Sequence, residues 1–395
     1  MNDFEIEVMD NNRIAPAEGA VIKAIGVGGG GGNMINHMVE QNIAGIELII
    51  ANTDAQALDS SLAPYKIQLG PSVARGRGCG MVPDKGREAA MESYEEIKEA
   101  LSGADLVFIA AGLGGGTGTG AAPVVAQAAK EVGALTVAVV TTPFKFEGRK
   151  RTKLAQQGLE ELKKESDSII VIPNERLLSV VEKTLGVKES FRLVDDILSQ
   201  AVSGISNVII SHSPSDINLD FADVKTVMSH RGLALMGVGH ASGQNAAYDA
   251  AIQAISSPLL GDISINGAQG ILVHFKIHPD YPILQISEAM NTIEEFADEE
   301  ASVIFGTTTD ENIAEDEVYI TIIATGFEKD IAPAADTKPK GGKPDTKQPI
   351  NNTNAKPEVA ANTGTDGGVK RKVIVVNSDN ENYYDTPTFL RKQRD

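Results

Sequence analysis

Two glycine-rich stretches stand where a chain can do chemistry with its backbone. Gly112-Leu-Gly-Gly-Gly-Thr-Gly-Thr-Gly120 follows the apolar run Asp105–Ala111 and precedes Ala121–Lys130, whose composition predicts a helix. Gly26-Val-Gly-Gly-Gly-Gly-Gly-Asn33 closes a second apolar run, Ala20–Val27. A strand that turns through glycines into a helix start gathers several backbone N–H groups at a point of positive helix dipole, which is a seat for phosphate. Any Cβ there would hold a phosphate off the backbone or forbid a left-handed turn. Thr117 and Thr119 can add hydroxyl donors. A flexible hinge would also use glycines, but the interleaved threonines and the flanks on both sides argue for a ligand.

Within the Gly26–Asn33 stretch, Gly26-x-Gly28-x-x-Gly31 is the dinucleotide fingerprint, which leaves a hydride-transfer enzyme open. That fingerprint calls for an acid about 20 residues on. Here the next strand ends at Asn52-Thr-Asp54, later than that spacing asks. A second phosphate loop is also more than one pyrophosphate needs. Two glycine loops on one crevice suit a triphosphate better, and the Gly-x4-Gly-Lys-Ser/Thr loop of P-loop enzymes is absent.

The elements that position these loops follow from periodicity. A helix is predicted over Asn33–Gln41, with Ile35, Met38 and Val39 on one face, and a strand over Glu47–Asn52. Strand, glycine turn, helix and strand make a right-handed βαβ unit. A helix over Lys85–Ser102 stops at Gly103; a strand at Ala134–Val140, a helix near Lys150–Lys164 and a strand at Ser168–Ile172 come later. Nearly all-apolar strands alternating with helices predict an α/β fold, a Rossmann-like parallel sheet covered on both faces. Ser190–Ser211 reads as one long central helix of about 33 Å. Beyond it, strands at Leu233–Gly239, Gln269–Ile277, Ser302–Gly306 and Glu317–Thr325, with helices at Asn245–Ile255 and Gln285–Ala297, predict a second, smaller α/β domain with a mixed sheet.

The domain plan expected is therefore a flexible N-terminus at 1–19, a nucleotide domain at 20–189, the central helix at 190–211, a C-terminal domain at 212–327, a disordered linker at 328–378 and a tail at 379–395. The linker is rich in Pro, Lys, Asn, Thr and Gly and has too few apolar residues to offset its ordering entropy. The chain of 395 residues has one cysteine, Cys79, and a formal charge of −19. From Glu328 onward 12 basic residues face 10 acidic ones; the remainder carries 23 basic and 44 acidic. Such a body repels nucleic acid. No run reaches the ~18 uninterrupted apolar residues of a membrane span, and the acidic start lacks the plan of a secretory signal.

In combination these motifs resemble the tubulin/FtsZ GTPase family. Gly114-Gly-Gly-Thr-Gly-Thr-Gly120 is similar to its signature loop and Gly26–Asn33 to its first nucleotide loop. Asn52-Thr-Asp-Ala-Gln-Ala57, Phe146-Glu-Gly148, Asn218-x-Asp-Phe-Ala-Asp223 and Ser256-Ser-Pro-Leu-Leu260 match further. The resemblance implies GTP binding and hydrolysis, with Mg²⁺ bound alongside the nucleotide, coupled to head-to-tail self-assembly in the cytokinetic ring at mid-cell, in the bacterial cytoplasm. It puts Gly29, Gly30, Gly31, Gly32 and Asn33, with Gly114, Gly115, Gly116, Thr117, Gly118 and Thr119, around the phosphates and nucleoside. Glu147 and Arg151 fall to the ribose and neighbouring phosphate.

Phe191 and Asp195 lie four residues apart at the start of the long helix and share a face. A ring can stack on a base, and a carboxylate can accept from guanine N1–H and N2–H2 together. Without the resemblance they would read as a core aromatic and a helix-start acid. Asn218, Asp220 and Asp223 fall at the far end of that helix, some 30 Å from Asp195 by its length. The resemblance gives them the attacking water of the next copy's nucleotide, while their spacing also fits an N-cap with its capping box. Pro387, Phe389, Leu390, Arg391 and Lys392 resemble the family's tail peptide, which docks on membrane-tethering and regulatory division proteins. Arg75 and Arg77 read as solvated, Cys79 as a small loop residue, and the six histidines show no metal-ligand spacing.

Overall fold

The computed structural model describes residues 19–177, 186–210, 216–230, 232–257, 259–260, 265 and 267–327. The expected linker and tail, with Pro387, Phe389, Leu390, Arg391 and Lys392, lie outside the described residues, as do Pro258 and Ser211. Among the described residues, ten strands form one continuous sheet in the order β3-β2-β1-β4-β5-β6-β7-β10-β8-β9.

The parallel half starts with β1 (Ile22–Val27), α1 (Gly28–Glu40) and β2 (Ile46–Asn52). Every residue of β1 is buried, as a strand covered on both faces requires. It lies between β2 and β4 (Leu106–Gly112), with Ile22 opposite both Ile46 and Leu106. Then follow α5 (Thr117–Glu131), β5 (Leu135–Thr142), α6 (Arg149–Glu165) and β6 (Ser168–Pro173). Two short elements escape the sequence pattern. They are α2 (Ala55–Asp59) and the edge strand β3 (Tyr65–Gln68), which buries one side chain, Ile67.

Two boundaries differ from expectation for physical reasons. α1 begins at Gly28 and includes the glycine run, although glycine disfavours helix by about 1 kcal/mol per residue. Packing overrides propensity here: a Cβ on Gly31 would collide with the carbonyl oxygen of Ala110 in β4. The helix expected over Lys85–Ser102 is two, α3 (Pro83–Glu92) and α4 (Tyr94–Leu101). They divide at Ser93, whose hydroxyl accepts from Gly70 N–H at 3.1 Å and donates to the Gln68 carbonyl at 3.2 Å, pinning the break to the end of β3.

After the one-turn α7 (Asn174–Leu177) comes α8 (Val187–Ile210), 24 residues and about 36 Å long. By length and composition α8 could cross a bilayer. Instead Leu198, Ala201, Val202, Ile205 and Val208 are buried in a core shared with Met34 and Met38 of α1 and with strands of both halves of the sheet. α9 (Phe221–Met228) leads into β7 (Gly232–Ser242). That strand serves both halves: Gly232–Ala234 pair parallel with Ser168–Ile170, and Leu235–Ser242 pair antiparallel with β10 (Glu317–Thr325). β10 pairs antiparallel with β8 (Gly270–Ile277), which pairs parallel with β9 (Ser302–Thr309). α10 (Ala246–Ile255) and α11 (Ile283–Phe296) cover the other face of this half. The fold is the expected α/β architecture, a parallel sheet continued by a mixed one.

Because the atoms that a Cβ at Gly31 would strike are backbone, they cannot swing aside. Gly31→Ala is expected to lower stability by about 1–3 kcal/mol, read as a shift in the urea midpoint with an unchanged m-value.

Candidate functional site

The strand order 3-2-1-4-5-6 reverses between β1 and β4, and ligands of open α/β sheets bind beyond the carboxyl ends of the strands at such a reversal. A cavity of about 370 Å³ lies there. Gly29 and Gly30 reach it from the first turn of α1, Gly112 from the end of β4, and Thr117 and Gly118 from the first turn of α5. Both helices aim positive dipole ends at one space.

The glycines divide into two jobs. A Cβ on Gly28 would stand 2.9 Å from Gly118 N, and one on Gly30 would stand 3.1 Å from Gly112 Cα, so these glycines let α1 lie against β4 and α5 backbone to backbone. Gly31 does the same against Ala110, Gly32 makes room for the Ile50 side chain of β2, and neither lines the cavity. Gly29 and Gly115 line it, and a Cβ on either would touch nothing within 4 Å. Such a methyl group would project into the cavity. The threonines are engaged within the protein: Thr117 Oγ1 lies 2.6 Å from Thr53 Oγ1, and Thr119 Oγ1 accepts from Gly114 N–H at 2.8 Å. Thr117 lines the cavity, whereas Thr119 and Gly114 shape the loop from behind.

The far wall is built by α6, α8 and the end of β6. Glu147 Oε2 accepts from Arg151 Nη1 at 2.6 Å, while its Oε1 accepts from Phe144 N–H at 2.9 Å. Both side chains line the cavity with Asn33, Phe191 and Asp195. Phe191 is 41% exposed and so is no core aromatic. Buried Phe144 meets it edge-on at 5.5 Å and stacks on Phe146 at 4.9 Å. Asp195 sits beside Val194 and Leu198 on the cavity wall. Its burial pushes the carboxyl up to about 6; the nearby His37 acts against this and Asp196 with it. His37 Nε2, 2.5 Å from Asp196 Oδ1, ties α1 to α8.

Sequence reasoning missed Asn174. It lines the cavity, it is buried, and its Oδ1 has no hydrogen-bond partner. An orphan acceptor of this kind asks for a donor from a ligand. The signal was positional, because Asn174 follows β6 as Gly28 follows β1. Gly80, which ends the Arg75–Gly80 stretch that loosely resembles the family's third nucleotide loop, lines the cavity too; its carbonyl accepts from Gly116 N–H at 2.7 Å and joins the 75–80 loop to the cavity.

Asn218, Asp220 and Asp223 are not brought to this cavity. Asp220 holds the N-cap position of α9, but its side chain makes no capping hydrogen bond. All three side chains are exposed. Their loop is fixed to the other end of α8, where Leu219 N–H donates to the Val208 carbonyl at 3.4 Å, and to β9, where Ile217 N–H donates to Thr307 Oγ1 at 2.8 Å. Asp54, the acid that would bind a ribose in the dinucleotide fingerprint, instead caps α2 through Gln56 N–H at 3.0 Å.

The Tubulin/FtsZ family GTPase domain matches residues 21–182, and the FtsZ family C-terminal domain matches residues 232–328. The chain belongs to the tubulin/FtsZ family. Cell division protein FtsZ of Pseudomonas aeruginosa is 46% identical over 401 residues, covering 98% of this chain and all of that one. Its counterpart in Helicobacter pylori is 51% identical over 313 residues, covering 79% and 81%. Among solved structures, an FtsZ dimer from M. jannaschii superposes with a TM-score of 0.74 at 44% identity, covering 78% of this chain and 89% of that one. CetZ1 of Haloferax volcanii, bound to GDP, shares the fold at 20% identity with a TM-score of 0.67, covering 78% and 94%. The chain is thus a tubulin/FtsZ-family GTPase, and the cavity at the β1/β4 reversal lies within the matched GTPase domain.

Thr119→Val keeps the volume but removes the acceptor for Gly114 N–H. Leaving that buried donor unpaired is expected to cost about 1–3 kcal/mol, measured by chemical denaturation without nucleotide, and to weaken GTP binding through a loosened loop.

Proposed function

We propose that this chain binds GTP in the cavity, assembles head to tail with copies of itself, and hydrolyses GTP with side chains from the neighbouring copy. The setting is the cytokinetic ring of bacterial cell division, at the cytoplasmic mid-cell site, as the names of its relatives suggest. Gly29, Gly30 and Gly115–Gly118 would face the phosphates, Glu147 and Arg151 the ribose and its phosphate, and Phe191, Asp195 and Asn174 the base. An ionised Asp195 accepts two donors from guanine, a pair that adenine lacks on that edge.

One observation carries the trans reading: the candidate catalytic acids lie at the wrong edge of the sheet for their own cavity. Ile210 ends α8 against Gly45, just before the start of β2, whereas the cavity lies beyond the ends of β1 and β4. Asp195 and Val208, which anchors the acid loop, are roughly 20 Å apart along α8. This is shorter than helix length alone suggested, because the loop folds back on Val208, and it is still far beyond a carboxylate's reach. A second copy stacked in the same orientation would bring its own Asn218, Asp220 and Asp223 to the cavity mouth, a heterologous contact that propagates as a filament. There the carboxylates would orient the attacking water, with positioning and electrostatics doing most of the catalysis.

No group of three or more His, Cys, Asp or Glu among the described residues is placed to hold a metal ion. Mg²⁺ would therefore enter with the nucleotide, held mainly by phosphate oxygens and water, with Thr117 a hydroxyl on the cavity wall that could join them. When bound it would offset phosphate charge.

Two outcomes test the assignment. Phosphate release per chain should stay near zero below a threshold concentration and rise above it, together with light scattering. Asp220→Asn or Asp223→Asn should lower turnover at least a hundredfold (about 2.7 kcal/mol) with the GTP dissociation constant unchanged. Turnover strictly proportional to concentration would exclude catalysis in trans. For the base, affinity should be flat above about pH 7 and weaken as Asp195 takes up its proton near pH 6, reaching about tenfold weaker at pH 5. Asp195→Asn should remove that component of the pH profile.

A further inference from the structure

Acidic side chains outnumber basic ones by 54 to 35, yet exposed cations gather around one opening. Arg75 and Arg77 stand on the loop whose Gly80 lines the cavity, and Arg149 and Lys150 open α6 next to the cavity residue Arg151. All four are exposed, and none has an ion pair among the described residues. Three acids on neighbouring segments are already engaged: Glu147 by Arg151, Glu175 by Lys145, and Asp54 by the α2 cap.

These positions cost the isolated chain stability. Cations in the first turn of a helix oppose its dipole, and α6 has no acid there to balance them. Arg75 sits at φ 54°, a left-handed conformation uncommon for a long side chain. Among the described residues no ion pair offsets either placement.

The opposite edge presents the complement. Asp220 and Asp223 are exposed, and Asp216 Oδ1 accepts from Thr309 N–H at 2.7 Å, which sets their loop beside the β9–β10 turn with its exposed Glu311 and Glu315. We propose that Arg75, Arg77, Arg149 and Lys150 form a cationic collar that receives this acidic face of a second copy of the chain. The inference rests on the head-to-tail reading and adds what selects the partner. Two bodies of strong negative charge repel at long range. Within a Debye length of about 8 Å at physiological salt, local opposite charge governs docking and fixes register. The collar residues flank the cavity without lining it, so they can act on the incoming copy rather than on the nucleotide.

The test compares the full-length chain with R75E/R77E and R149E/K150E, and with the milder R77Q/R149Q in case charge reversal disturbs folding. GTP affinity below the assembly threshold should match the unaltered chain, and thermal unfolding should match or exceed it, since acids suit the first turn of α6. The threshold itself should rise about tenfold or more in the reversed variants, and the gap should narrow as KCl is raised to 0.5 M. An unchanged threshold overturns the collar. A loss of GTP affinity equal to the loss of assembly also overturns it, because the cations would then be a phosphate subsite. No threshold in the unaltered chain overturns the head-to-tail reading and the collar with it.

Discussion

Everything at this site depends on how closely three backbones approach one another. α1, β4 and the start of α5 meet without side chains between them, through Gly28, Gly30 and Gly31 on one side and Ala110, Gly112 and Gly118 on the other. Glycine runs are poor helix formers, so local preference works against this arrangement. The buried apolar strands on both faces hold the helices in place regardless. Two N-terminal dipoles are thereby fixed toward one cavity before any ligand arrives, and a preorganised field of this kind needs no reorganisation when an anion enters.

α8 supplies the second constraint, which is distance. It is rigid, largely buried and clamped at one end by His37 with Asp196 and at the other by Ile210 against Gly45. A side chain near its start and a loop near its finish therefore keep a fixed separation. A flexible connection would have let one chain close on its own nucleotide. The stiffness of α8 makes the proposed division of labour between copies a matter of geometry.

Much of this was legible in the sequence because it depends on patterns of period and punctuation. The strands β1, β4, β5 and β6 announced themselves as continuous apolar runs, and the glycine loops as breaks between them. Helical spacing put Phe191 and Asp195 on one face, and the family resemblance singled them out. What the sequence hid was tertiary in origin. The helical state of Gly28–Gly32 depends on β4, and the break at Ser93 on β3. Asn174 was unremarkable as a residue and informative only once its Oδ1 was seen buried without a partner. Likewise, the capping pattern at Asp220–Asp223 was correctly spaced, but the side chain makes no cap, and spacing carries no information about where a carboxylate turns.

The shared strand β7 and the place of β10 bear on how such a chain is made. β10 pairs on one side with β7, some 80 residues earlier, and on the other with β8, so the last strand of the described residues is an inner strand of the sheet. The parallel half can complete itself while synthesis continues, since its strands are joined by nearby crossovers. The mixed half cannot close until Thr325 has been made, and until then β7 and β8 each keep an unpaired edge. Pairings of such long range are slow to form. A nascent or truncated chain ending before Glu317 would expose two apolar strand edges at once, and its hazard in the cell would be aggregation more than loss of activity.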